Sequence, residues 1–431
     1  MKIYSIILSA GKSSRMKSEI PKPFHEIAGK KMIDWVITAN SSVDIKKLII
    51  VTPNQNDFLE YSKTNDLVIQ KVPKGTGDAV KCAISVLKNF KGIVLICYAD
   101  TPFISKSTLQ KLIKSIKNNN DIAITSFIKT QENSYGKIVL NKEKKPLKIL
   151  EDKKLNNKIN LCNGGIMAFN ASKLFTLISK IKPNKESGEY YLTDSIEIAS
   201  TLGMKIELIK IKESEVLGIN DRKQLAFAES MVQSKIREQL LKNGVTLLAP
   251  ETSFFSYDSI IKKDVIIHPN VIIGKNVKIE KNCEILSFSH LENCTVFKDT
   301  KIGPFARIRA GSKIGKNSKI GNFVELKNVD IKPKVKINHL AYVGDTDVGS
   351  DSNIGAGTIT CNYDGFRKNK TTIGYNTFVG SNSTLIAPIK IGDNATIAAG
   401  SVITEDVPKN ALSIARKKQE NKENKSLKKL K

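Results

Sequence analysis

The sequence predicts an α/β domain followed by a parallel β-helix, and three observations carry that prediction. Up to about residue 220, short apolar runs alternate with amphipathic stretches. From about Val265 onward, an aliphatic residue returns every six positions. Between the two lies one stretch whose apolar residues are spaced by three or four.

In the first part, the runs Ile3 to Leu8, Leu48 to Val51, Ile93 to Cys97 and Ile122 to Thr125 read as buried strands. Ala79 to Leu87 and Leu109 to Ile116 read as helices between them. Such alternation predicts a mostly parallel sheet with ligands at the carboxyl ends of its strands. The helical stretch places Leu225, Ala228, Val232, Ile236 and Leu240 on one face, with Asp221 at its start and Asn243-Gly244 at its end. A linker helix over 223–243 is therefore expected between a domain at 1–222 and another at 244–416.

The six-residue period runs through Ile267, Ile273, Ile279, Ile285 and Leu291, then Ile302, Ile308, Ile314, Ile320 and Leu326. It resumes at Ile373, Val379, Leu385, Ile391, Ile397 and Ile403. Each hexapeptide supplies one short strand and a turn and sends its aliphatic side chain to the axis. Three of them close a coil, so residues eighteen apart sit one above another at about 4.8 Å. The break at Ile359 to Lys370 is too long for one hexapeptide and should loop out. Residues 417–431 have no apolar period and are expected to be a disordered basic tail.

Composition narrows the function classes. At 431 residues the chain suits two or three domains, with the balance of an ordinary soluble protein. The N-terminal apolar run passes straight into a Gly/Ser/Lys turn without a cleavage site, so it reads as a strand and not as a signal peptide. No run approaches the roughly 20 apolar residues that span a bilayer. A cytoplasmic protein with no membrane insertion is expected. Cys82, Cys97, Cys162, Cys283, Cys294 and Cys361 form no CxxC pair and read as reduced thiols. The formal charge of +27 is lysine spread along the whole chain, with arginine only at 15, 222, 237, 307, 309, 367 and 416. A nucleic-acid footprint gathers arginine and aromatics on one face, so no nucleic-acid partner is expected.

Two constellations carry chemistry. After the first strand come Leu8-Ser9-Ala10-Gly11-Lys12-Ser13-Ser14-Arg15-Met16 and then Pro21-Lys22-Pro23, a Gly/Ser loop with two cations that suits phosphate. Further on stand Gln70 with Lys74-Gly75-Thr76-Gly77, then Tyr98-Ala99-Asp100, Tyr135-Gly136, Glu151, Asn163-Gly164-Gly165 and Gly218-Ile219-Asn220. Asp100 and Asn220 offer hard oxygens to a divalent cation. In the repeat region, Arg309 and Lys327 lie one predicted coil apart and can face one phosphate. His339 follows them and Tyr342 comes next, and an imidazole near neutral pKa suits removal of a proton from an amine.

In this order the motifs resemble a bifunctional family that joins an N-acetylglucosamine-1-phosphate uridylyltransferase to a glucosamine-1-phosphate N-acetyltransferase. Leu8 to Met16 resembles the L-x-x-G-x-G-T-R-M signature of Rossmann-like sugar nucleotidyltransferases, with Ser13-Ser14 in place of Gly-Thr. The resemblance implies UTP and UDP-sugar contacts at Leu8, Ala10, Gly11, Lys22, Gln70, Gly75, Thr76, Tyr98, Asp100, Gly136, Glu151, Asn163 and Asn220. It makes Arg15 and Lys22 catalytic and puts Mg²⁺ on Asp100 and Asn220.

In the second half it implies a left-handed helix, His339 as general base, and Arg309, Lys327, Tyr342 and Asn353 on glucosamine 1-phosphate. Ala356, Asn362, Tyr363, Ser381, Ala399 and Arg416 are implied contacts of acetyl-CoA, with Glu325 orienting His339. A homotrimer with sites between subunits is implied too. The expected reaction acetylates glucosamine 1-phosphate, then joins N-acetylglucosamine 1-phosphate to UTP, giving UDP-N-acetylglucosamine and pyrophosphate.

Overall fold

Leu8 and Tyr98 end neighbouring parallel strands in register, and that pairing places the two loops that follow them side by side. They belong to a computed structural model that describes residues 1–11, 13–129, 135–151, 159–423 and 425 and divides into two compact units, 1–229 and 230–431.

Apart from a short antiparallel pair, Glu26–Ile27 with Lys30–Lys31, the strands of the first unit are β1 (Lys2–Leu8), β2 (Lys47–Thr52), β3 (Asp66–Ile69), β4 (Gly92–Tyr98), β5 (Ile122–Ile128), β6 (Lys137–Leu140), β7 (Pro146–Leu150), β8 (Leu161–Asn170) and β9 (Ile206–Lys210). They form one sheet in the order β9-β5-β8-β4-β1-β2-β3, and β6 pairs with both β8 and β7. Pairing is parallel except where β8 runs antiparallel between β4 and β5, and where β6 joins β7 and β8. The helices are α1 (Met32–Ser41), α2 (Thr76–Ile84), α3 (Lys106–Lys117), α4 (Ala171–Ile178) and α5 (Asp194–Thr201). Alternate strand residues feed two cores, as period-two geometry requires. Ile6 and Leu8 pack with α2, α4 and α5, while Ile3 and Ile7 pack with α1 and α3. This is a Rossmann-like α/β fold.

Helix α6 (Arg222–Lys242) follows, and the division between the units falls within it. The Asp221 carboxylate accepts the Gln224 N–H at 2.8 Å and caps its start. Gly244, at φ +84°, ends it, with the Val245 N–H on the Leu240 carbonyl at 3.0 Å.

The second unit is a parallel β-helix. Every aliphatic residue of the predicted six-residue rows is buried, at 3% exposure or less. The coils are not uniformly eighteen residues long: Ile267 stacks on Ile285 after 18, Ile285 on Ile302 after 17, and Ile354 on Val379 after 25. The long coil contains the expected break. Ile359–Cys361 nevertheless stays in the ladder as a strand, so the excursion is 362–370, and a Tyr363–Lys368 bridge closes it into a hairpin. Gly321 marks how closely the coils approach, since a Cβ there would lie 1.9 Å from the Asn338 carbonyl oxygen. The expectation of a disordered tail over 417–431 falls in part outside the described residues.

Candidate active sites

At the carboxyl end of β1 and β4 is a cleft of about 440 Å³. Its lining includes Leu8, Ala10, Gly11, Lys22, Gln70, Gly75, Thr76, Tyr98 and Asp100, all predicted nucleotide positions. Lys22 Nζ bonds the Asp100 carboxylate and, at 3.1 Å, Asn220 Oδ1; Arg15 reaches the same amide oxygen at 3.1 Å. Four residues from three distant segments therefore meet at one point. Ser13, where the related signature has glycine, accepts the Lys22 backbone N–H at 3.2 Å and so fixes the lysine turn to the loop.

Gly136, Glu151 and Asn163 stand beside Tyr98 and do not line the cleft itself. The Asn163 N–H donates to the Gly136 carbonyl at 2.8 Å, and a Cβ on Gly136 would lie 3.1 Å from Glu151 Oε1. Asn163 Oδ1 accepts from Gly165 at 3.0 Å, and a Cβ on Gly165 would lie 3.3 Å from the Tyr98 ring. Burial, with the charges of Glu151 and Asp100 nearby, raises the Tyr98 phenol above its usual range.

Sequence reasoning missed the segment that shapes this cleft from the far side. Glu189 and Tyr191 line it, and the Leu192 N–H donates to Thr76 Oγ1 at 3.0 Å. Gly75 is at φ +98°, and a Cβ there would lie 2.5 Å from the Tyr190 carbonyl oxygen. Gln70 is held by Asp78 at 2.8 Å. Arg222 ties Met16 to His25, at 3.2 and 3.3 Å, on either side of the Lys22 turn. Their contacts come from chain segments remote in sequence, which no local spacing reveals.

In the second unit, Asn322 and His339 are paired on successive coils. The Leu340 N–H bonds the Asn322 carbonyl at 3.0 Å, Asn382 N–H that of Ala356 at 2.7 Å, and Gly400 N–H that of Ser381 at 2.8 Å. These ladders place Asn322, His339, Ala356, Ser381 and Ala399 in one column down the β-helix. Small residues follow His339 along the axis, and three of them are predicted acetyl-CoA positions. Around the corner made by Leu340 lie Arg309, Glu325, Lys327 and Tyr342.

The expected partnership of Glu325 with His339 is not what the side chains do. Glu325 pairs with Arg309 at 2.8 Å, while His339 Nδ1 lies 2.6 Å from Asn322 Oδ1. A carboxylate beside a guanidinium is the stronger pairing, and the strand register offers His339 the asparagine instead. Lys327 has a third cation beside it that sequence reasoning left without a role: Lys368, from the excursion. The Lys368 amine, by hydrogen bonding and repulsion, with Arg309 behind it, holds Lys327 below the usual lysine range.

Asn362 donates its amide to Asp345, and Lys370 pairs with Asp347 at 2.6 Å, so both ends of the excursion are pinned to strand Tyr342–Val348. The Tyr363 hydroxyl donates to the Gly365 carbonyl at 2.6 Å. Asn353 sits in the ladder between Lys336 and Phe378. Arg416 is exposed, beyond the last coil.

Comparison with known proteins finds relatives of both units. A MobA-like NTP transferase domain matches residues 5–160, a GMPPB C-terminal domain 254–331, and a hexapeptide repeat of succinyl-transferase 370–405. The "Bifunctional protein GlmU" of Ruegeria sp. is 42% identical over 97% of this chain and 94% of its own length. That of Zymomonas mobilis is 42% identical over 97% and 95%, and that of Bartonella bacilliformis 40% over 98% and 96%. The chain belongs to the bifunctional GlmU family. As a GlmU-family protein it is an enzyme with uridylyltransferase and acetyltransferase halves that makes UDP-N-acetylglucosamine, and its β-helix is left-handed.

Proposed function

We propose that His339 is the base of acetyl transfer, that Arg309, Lys327, Tyr342 and Asn353 hold glucosamine 1-phosphate, and that the acyl donor lies along Ala356, Ser381 and Ala399, with Asn362, Tyr363 and Arg416 as further contacts. The observation that carries this reading is the column that sets the imidazole at the head of a track of small residues, one corner away from three cations. The sugar amine attacks the thioester carbonyl as His339 accepts its proton, and the C–S bond then breaks to release the thiol.

Uridylyl transfer follows at the other site. An anionic sugar phosphate must approach the α-phosphate of UTP, and like charges have to be neutralised first. Arg15 and Lys22 supply positive charge, and Gln70, Gly75 and Thr76 with Leu8, Ala10 and Gly11 hold the nucleotide. Tyr98, Gly136, Glu151 and Asn163 hold the sugar. The convergence of Asp100 and Asn220 oxygens on the single positive charge of Lys22 fits Mg²⁺, with phosphate and water completing its shell. When bound, the ion would shield the phosphate charges.

We place the reaction in the cytoplasm, where UTP and acetyl-CoA are supplied, and the assembly is a homotrimer. Support for assembly comes from one corner of the β-helix. Phe288, Phe305, Phe323 and Leu340 occupy left-handed backbone on successive coils and are 44% to 63% exposed. The rings stack on one another at 4.8 and 5.1 Å. The same corner in other coils carries Asn or Gly, which adopt that backbone without strain. Further copies would cover this apolar stripe and enclose His339 beside it. Incubation with glucosamine 1-phosphate, acetyl-CoA, UTP and Mg²⁺, each omitted in turn, tests the scheme by the masses of the products. UDP-glucosamine as the main product, with acetyl-CoA untouched, would reject it.

A further inference from the structure

We infer that Asn322 is the positioning residue of His339: its side-chain oxygen accepts the Nδ1 proton, which fixes the tautomer whose Nε2 is free to take the proton of the sugar amine. The inference rests on the reading of His339 as the acetyl-transfer base and goes on to identify what aims it. Three observations carry it. The oxygen lies 2.6 Å from Nδ1. The two residues are register partners on strands Lys319–Asn322 and Lys336–His339, so the backbone ladder and not a flexible loop sets their spacing. The carboxylate that the resemblance set against the ring, Glu325, is committed to Arg309.

The choice of an amide has a chemical consequence. A neutral imidazole has one protonated nitrogen, and the group on the other side of the ring decides which. An amide oxygen selects Nδ1–H without adding negative charge, whereas a carboxylate would select it and also stabilise the imidazolium. A base that must be unprotonated before the amine attacks is better served by the amide. The ionisable groups on the elements around His339 are Lys336 on its own strand and Lys319 on the strand below. Across the Leu340 corner lie Arg309, Glu325, Lys327 and Tyr342. In its column His339 is followed by Ala356, so Asn322 is the polar side chain there paired with the ring.

The test compares Asn322→Ala, Asn322→Asp and His339→Ala with the wild type across the acid and neutral range, following acetyl transfer and uridylyl transfer separately. Asn322→Ala is expected to lower kcat for acetylation by roughly tenfold or more, with KM for both substrates within about twofold and uridylyl transfer unchanged. Asn322→Asp keeps an acceptor for Nδ1 and should restore most of kcat at alkaline pH, with the acid limb of the profile moved up by about one unit. Equal losses in both variants with no movement of the limb, or full activity in Asn322→Ala, would overturn the inference. His339→Ala decides the reading beneath it: acetylation persisting there removes the base itself. A direct readout avoids any folding defect. The chain has four histidines, so selective ¹⁵N labelling of the wild type can assign the His339 tautomer. Nδ1–H at neutral pH is expected, and Nε2–H would contradict the proposal.

Discussion

Glu325 Oε1 lies 2.8 Å from the guanidinium of Arg309, and both side chains are about one-third exposed. A partly exposed pair of this kind orders its partner more than it stabilises the fold. If Arg309 holds the sugar phosphate as proposed, the carboxylate aims its guanidinium, and Glu325→Gln should raise KM for glucosamine 1-phosphate by about two- to fivefold. The acid limb of the acetyl-transfer profile should stay where it is. A shifted limb would return Glu325 to the imidazole.

The cation cluster makes a second prediction. Lys368 and Arg309 hold Lys327 below the usual lysine range, so an anion that draws all three charges together relieves their repulsion. Inorganic phosphate should raise the melting temperature of the wild type. Lys327→Met should lose most of that gain, and calorimetry with chloride at equal ionic strength checks the effect.

Gly75 connects backbone geometry to the nucleotide cleft. Its φ of +98° and the 2.5 Å distance from a built Cβ to the Tyr190 carbonyl oxygen leave no room for a side chain. Gly75→Ala should cost about 1–3 kcal/mol of stability in the first unit and raise KM for UTP. Acetyl transfer, measured on the same preparation, should be unaffected.

The stripe of Phe288, Phe305, Phe323 and Leu340 yields a prediction about assembly. Phe323→Asp introduces a charge where ring stacks on ring, on a residue whose side chain is more than half exposed in the single chain. Sedimentation should show a shift from trimer toward monomer, with acetyl transfer lost and uridylyl transfer largely kept. An unchanged trimer would move the interface elsewhere.

The fold was legible because both its periods are set by burial. Ile267 to Ile403 announce the β-helix, since each inward position has to be aliphatic and the turn length fixes the return. The 17-residue coils escape that reading, because a turn shortened by one residue, as between Leu291 and Val296, keeps both aliphatics inside. The excursion was visible as a break, yet Ile359–Cys361 remains in the ladder because its neighbours on adjacent coils still offer backbone partners. Site residues were legible where a motif is contiguous, as in Tyr98-Ala99-Asp100. Asn322, Lys368, Tyr191 and Arg222 were not, because each is brought to its site only by folding. The resemblance set Glu325 to orient His339, and the strand register sets Asn322 against that ring instead.

Two chemistries are housed in two halves of one chain, and reciprocal inactivation measures that most directly. His339→Ala and Asp100→Ala are assayed in parallel for thiol release from acetyl-CoA and pyrophosphate release from UTP. His339→Ala should lose thiol release while keeping pyrophosphate release from N-acetylglucosamine 1-phosphate, and Asp100→Ala should do the opposite. Loss of both activities in either folded variant, or survival of acetylation without His339, would contradict the account.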